Sequence, residues 1–175
     1  MPSVISHAIA GAAIASCAIK PGTPKTLVVV AAVCAAVPDL DVIGFQFGIH
    51  YGDFWGHRGF THSIVFAGLL AGAITLVWVR SGFRTVSVPV LFGVLFLATA
   101  SHGLLDALTD GGLGAALLSP LNTARYFFPW RPIRVSPIGI ANFFSYRGWM
   151  ALKSELLWVW VPSGLMAMVG RIFYL

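Results

Sequence analysis

Long apolar runs separated by short links of charge, proline and glycine dominate the chain. A helix needs about 20 mostly apolar residues, with roughly 17 to 25 observed, to cross a bilayer. Residues 63–79 are an uninterrupted apolar run ending at Arg80, and residues 86–108 form a second that carries His102 and Asp106 near its end. Residues 156–175 are long enough for a third, with Pro162 expected to kink it and Arg171 to snorkel to the interface. Two earlier runs are weaker: residues 4–19 are short and hold His7, and residues 26–37 stop at Pro38 before reaching span length. They pair as a short helical hairpin, because Pro21, Gly22 and Pro24 in the 20–25 link enforce a turn. The pattern predicts an all-α, polytopic membrane bundle of three to five spanning or re-entrant helices, with residues 1–175 forming a single domain.

Composition agrees with that solvent. Of 175 residues, 58% are hydrophobic and 10% charged, against roughly a quarter charged in soluble domains, which excludes a water-soluble globule. Aromatic residues at 13% exclude a disordered chain. The net charge of +5 comes from scattered cations rather than a stripe, so nucleic acid is not the expected partner. The lipid bilayer and a phosphorylated, amphiphilic substrate are. The start lacks the positive n-region of a cleavable signal peptide. Ile14, Ala15, Ser16 and Cys17 resemble a lipoprotein cleavage box, but small residues packing a membrane helix account for them better. Cys17 and Cys34 fall at opposite ends of the expected hairpin, so no disulfide is expected between them.

The few charges are sorted by face. With five helices, the links 20–25 and 80–85 share one membrane face and contain Lys20, Lys25, Arg80 and Arg84 without any acid. Every acid and histidine falls on the other: His7, Asp39, Asp41, His50, Asp53, His57, His62, His102, Asp106, Asp110 and Glu155. Membrane solubility does not require such segregation, since cations and aromatic belts suffice as anchors. A site of oxygen and imidazole ligands does require it.

Within that set, His102 and Asp106 stand four apart on a predicted helix, one turn apart on one face. In an apolar segment such groups are costly and usually functional. Pro38-Asp39-Leu40-Asp41 places two carboxylates where the second helix should end, either as a capped turn or as oxygen ligands for a divalent ion. His57-Arg58-Gly59-Phe60-Thr61-His62-Ser63 runs into the third helix; with Thr61 as N-cap, His62 would sit in its first turn and stay neutral, as a ligand must. His7 joins by antiparallel geometry. His50, Asp53 and Glu155 read as solvated interface residues, and Asp110 as a turn residue. Imidazole with carboxylate suits zinc, with manganese or magnesium as alternatives. The candidate ligands His7, Asp39, Asp41, His57, His62, His102 and Asp106 are enough for two or more ions, which clamp the attacking and leaving oxygens of a phosphoester.

At these residues the chain resembles the YdjM-like family of membrane-bound metal-dependent hydrolases, also described as LexA-binding, inner-membrane-associated hydrolases. The resemblance continues through Ser101-His102-Gly103-Leu104-Leu105-Asp106, Asp110-Gly111-Gly112 and Arg125-Tyr126-Phe127-Phe128-Pro129-Trp130-Arg131-Pro132-Ile133. That family is in turn reminiscent of the zinc-dependent phospholipase C and related nucleases. The resemblance implies a multi-pass protein of a bacterial or archaeal inner membrane that hydrolyses phosphoesters at His7, Asp39, His57, His62, His102 and Asp106. His62, His102 and Asp106 are the expected catalytic core, with Asp41 a ligand or an orienting carboxylate.

Residues 109–155 interleave Arg125, Arg131, Arg134 and Arg147 with aromatic side chains, proline and glycine, the composition of an interfacial loop. Arg58, Arg125 and Arg131 are the expected phosphate-binding residues, and a site at the membrane surface meets lipid or lipid-linked phosphates first. Two alternatives use the same ligands. A divalent-cation transporter would need them near mid-helix on several spans, whereas a structural or regulatory protein would use the ion to staple short helices.

Overall fold

The structure is a computed structural model, and it describes residues 1–18, 23–82 and 86–172. Its helices are α1 (Val4–Ala18), α2 (Thr26–Ala36), α3 (Ile64–Arg80), α4 (Val88–Ala107), α5 (Ile140–Phe143), α6 (Tyr146–Glu155) and α7 (Val161–Ile172). No strand occurs among the described residues; the only ladder fragments there are the isolated bridges Thr109 to Ile133 and Ala115 to Tyr126. The turn expected at Pro21 and Gly22, and Arg84 in the link after α3, lie outside the described residues.

At 1.5 Å per residue, α4 extends about 30 Å and α3 about 25 Å, near the thickness of a hydrocarbon core. Their outer faces carry exposed Leu69, Leu76, Val77, Val90 and Leu97, and α2 adds exposed Val29 and Val33. The interior is made of smaller groups: Ala15, Ala31, Ala35, Ala71 and Ala98, with Leu27, Leu91 and Leu95. Large apolar side chains outside and alanines inside are the arrangement for a lipid solvent, where helices gain from close backbone approach rather than from hydrophobic exclusion. Gly11 on α1 illustrates the closeness, since a Cβ there would lie 2.6 Å from the Ala31 carbonyl oxygen of α2. Helix α1 packs on α2, α4 and α7, and α4 packs on α2 and α3 as well. The two helices carrying His7 and the His102–Asp106 pair are therefore the central ones.

Two expectations are corrected. Pro38 does not stop the second helix: the chain continues as a 3-10 helix, Val37–Phe47, with Pro38 in its first turn, where a missing N–H costs nothing. Left-handed Gly48, φ 79°, closes it. Residues 109–155 are also not all loop, because α5 and α6 lie within them. After α6 the backbone widens into a π turn, Leu156–Trp160, in which the Val161 N–H bonds the Leu156 carbonyl. Pro162 follows directly, and the wider turn accommodates a ring that an α-helical register would push into the preceding turn.

Candidate metal centre

Five separate stretches of chain deliver acids and histidines to one end of the bundle. His7 comes from α1, Asp39 and Asp41 from the 3-10 helix after α2, and His57 from the following loop. His62 comes from the 3-10 turn Phe60–His62, and His102 and Asp106 from α4. His7, His102 and Asp106 are fully buried, and Asp39, His57 and His62 are nearly so. Potential ligand atoms of His7, His102 and Asp106 all lie within 4.8 Å of one another, as do those of Asp39, His57 and His62.

The two groups meet in the middle. His62 Nε2 is 3.0 Å from His102 Nε2 and 3.1 Å from Asp106 Oδ2, and His102 Nε2 is 3.3 Å from Asp39 Oδ1. Ligand bonds of about 2.0–2.2 Å put neighbouring donor atoms of one ion about 2.8–3.6 Å apart, a range that these three contacts meet. Two further separations, His62 Nε2 to Asp39 Oδ1 and His102 Nε2 to Asp106 Oδ2, are 3.9 Å, slightly longer than that range. His7 stacks flat on His102 with ring centroids 3.5 Å apart, and its Nε2 is 3.6 Å from the other oxygen of Asp106.

Hydrogen bonding tests whether a cation fits. Both oxygens of Asp39, both of Asp106 and both ring nitrogens of His7 are buried and make no hydrogen bond. Buried polar atoms in that number are costly unless something satisfies them, and oxygens of both carboxylates lie beside the histidines of the cluster. Charge agrees: three carboxylates against the buried Arg58 guanidinium leave two negative charges when the imidazoles are neutral, the charge of one divalent ion. Burial pushes the nearby Met1 amine down to about 6, so it does not alter that balance at neutral pH. The residues fit a divalent metal.

The ligands are held from behind. In a 3-10 continuation of α2 the partner of the Ala35 carbonyl is Pro38, which has no N–H; His102 Nδ1 takes that carbonyl instead, at 2.6 Å. The bond leaves His102 Nε2 facing the centre. Asp41 does the same for two rings: Oδ1 accepts from His57 Nδ1 at 2.7 Å, and Oδ2 lies 3.2 Å from His62 Nδ1. Oδ2 also accepts from the Thr61 hydroxyl at 2.7 Å and the Arg58 amide at 3.2 Å. Both oxygens are thus committed, and Asp41 is placed as the carboxylate that orients the histidines rather than as a ligand. Burial opposes a charge on His62, but Asp106 and Asp41 outweigh it and raise the imidazole to about 9 in the ion-free chain.

Thr61 is not the N-cap of α3. That position belongs to Ser63, in extended conformation, whose hydroxyl accepts from the Phe66 amide at 3.0 Å. His62 consequently precedes the helix instead of lying in its first turn. Gly103, beside His102, makes the close packing possible, because a Cβ there would strike the His62 carbonyl.

The expected phosphate-binding arginines are otherwise employed. Arg58 is fully buried at a left-handed φ of 63°, with Nε 3.3 Å from Asp106 Oδ2 and its terminal nitrogens on the Gly111 carbonyl and the Thr109 hydroxyl. It clamps Asp106. Arg125 reaches back to the carbonyls of His57 and Tyr51 at 2.7 and 2.8 Å, stapling the histidine loop. Arg131 lies over the Phe127 ring. Arg58 and Arg125 therefore have their guanidinium nitrogens engaged by groups of the chain itself.

Glu155 is corrected most clearly. Instead of being solvated it is fully buried, accepting from the Ser3 amide at 2.7 Å, from the Ser3 hydroxyl, and from the Ser6 hydroxyl at 2.6 Å. Ser3 just before α1 and Ser6 on its first turn were its only trace in the sequence. His50 and Asp53 are exposed side chains, and Asp110 accepts from the Val135 amide in a turn. Cys17 and Cys34 are free thiols.

Fold and cluster together define a class: a helical membrane protein with a buried histidine–aspartate centre able to hold a metal. The chain belongs to the YdjM inner membrane protein family, whose model matches residues 1–174. It is similar to the inner membrane protein YbcI of Escherichia coli (strain K12), 37% identical over 176 residues that cover 99% of this chain and 98% of that protein. No solved structure matches. The protein is an inner membrane protein.

Proposed function

We propose that the chain is a metal-dependent hydrolase of phosphoesters, with zinc the best-suited ion for its mixed imidazole and carboxylate donors. The observation that carries this reading is the set of buried carboxylate oxygens and imidazole nitrogens on Asp39, Asp106 and His7 that make no hydrogen bond, beside His62 and His102. His62, His102, Asp39 and Asp106 hold the ion, His7 and His57 flank it, and further ions are compatible with the full donor set. When bound, such an ion polarises a phosphoryl oxygen and acidifies water.

The chain's own residues supply the rest. A water oxygen bonds to phosphorus as the bond from phosphorus to the leaving oxygen breaks. Asp39 takes the water proton, since one of its oxygens faces His102 and the other is unpaired, and returns it to the leaving oxygen. Arg58 keeps Asp106 ionised and in place. Burial excludes bulk water, which strengthens each of these electrostatic contacts.

Metal analysis of detergent-purified protein, with a screen of phosphomonoesters, phosphodiesters and lipid phosphates, tests the proposal. Metal-free wild type, or equal turnover by wild type and His62→Ala, would overturn it. A structural staple is the second reading, favoured because the four residues that hold the ion come from three separate segments of chain. It predicts that stripping the ion melts the bundle and that no substrate is turned over at any metal content.

A further inference from the structure

Outside the histidine–aspartate cluster, a second set of charges shares one cleft. Asp110, Arg134, Tyr146, Arg147 and Met150 line a hollow of about 150 Å³ between the turn after α4, the segment before α5 and the first turns of α6. Its backbone is pinned from two sides. The Arg134 amide donates to the Ser154 hydroxyl of α6 at 2.9 Å, and the next amide, Val135, donates to Asp110 Oδ1 at 2.8 Å. The charged ends are left open: Asp110, Arg134 and Arg147 are exposed, and among the described residues neither guanidinium nor Asp110 Oδ2 has a partner.

We propose that this cleft holds the headgroup of an amine-bearing membrane phospholipid, with its phosphodiester on Arg134 and Arg147 and its ammonium on Asp110. Three observations select this occupant. Two guanidiniums suit a phosphate, but a bare anion would meet the Asp110 carboxylate, whereas a zwitterion finds an opposite charge at each end. The volume is that of about five waters at about 30 Å³ each, which admits a headgroup and not an acyl chain. The cleft also opens where the helix leaves the bilayer. Residues 146–172 are one unbroken helical run, with Leu156, Leu157 and Trp158 exposed on its apolar part and Tyr146 and Trp149 exposed beside the cleft. The Lys153 ammonium lies over the Trp149 ring, 5.3 Å from its centroid, so aromatic and cationic side chains mark headgroup depth at that point. The proposal does not depend on what the metal centre does.

The test uses the full-length protein in detergent micelles, with phosphatidylethanolamine and phosphatidylglycerol of matched acyl chains and inorganic phosphate as probes. Native mass spectrometry reads retention. Phosphatidylethanolamine should be held about three- to fivefold better than phosphatidylglycerol, the effect of one exposed ion pair. Arg134→Gln and Arg147→Gln should each lower retention of both lipids about fivefold. Asp110→Asn keeps an oxygen for the Val135 amide and should erase the preference between the two lipids. Arg171→Gln removes an exposed cation near the other end of the same helical run and should change neither retention. Because every altered side chain is exposed, unfolding temperatures should match wild type. Equal retention of the two lipids by wild type would overturn the proposal, as would wild-type retention by both arginine variants. Displacement of the lipid by inorganic phosphate at equal concentration would overturn it too, by making a free anion the occupant.

Discussion

Asp41 carries more of the centre than its position behind the ligands implies. One carboxylate orients both His57 and His62, so Asp41→Asn should lower metal affinity about 10- to 100-fold, measured by competition with a chromogenic chelator. Losses at His57 and His62 should then be less than additive, because each frees the same anchor. Arg58 makes a different prediction. Arg58→Ala leaves the buried Asp106 carboxylate without its guanidinium and should destabilise the protein by about 3–5 kcal/mol, read from thermal unfolding in detergent. The residues of the cluster were legible in the sequence because acids and histidines are scarce in an apolar chain, so each position stood out. Their division of labour was not. Whether a carboxylate is a ligand, an orienter or, like Glu155, a partner of serines depends on atoms a few ångströms away that spacing along a chain does not encode.

Among the elements, α3 and α4 lie within two residues of the apolar runs that predicted them. Length and hydropathy suffice where lipid surrounds a helix. The 3-10 extension of α2 escaped because Pro38 reads as a terminator, while the structure uses it to leave the Ala35 carbonyl free for His102. Glycines on α4 separate packing from propensity. Gly103→Ala should reduce metal affinity at least about tenfold by displacing the His62 carbonyl, an outer-contact effect of the usual size. Gly93→Ala, where a Cβ meets nothing within 4 Å, should leave affinity unchanged, and the same chelator competition checks both. At the other end of the pairing, Glu155→Gln puts an amide against the donors of Ser3 and Ser6. It should cost about 1–3 kcal/mol, seen as a lower unfolding temperature.

Across the whole molecule, the ion would tie together segments that lie up to 67 positions apart between Asp39 and Asp106. Because the folded bundle offers the site and the unfolded chain does not, metal at 100 times its dissociation constant should stabilise the protein by about 2.7 kcal/mol. A chelator should reverse that shift in unfolding temperature, and it should not do so in His102→Ala.

The gathering of every ligand at one end of the bundle also bears on how the chain is inserted. A helix threaded in the wrong direction would carry its ligand to the opposite side of the bilayer, about 30 Å from the others. Such a molecule could still be apolar, helical and membrane-bound, but it could not close the centre. Metal occupancy would therefore work as a checksum on topology: it would report whether the segments that carry Asp39, His62 and the His102–Asp106 pair all entered the membrane the right way round.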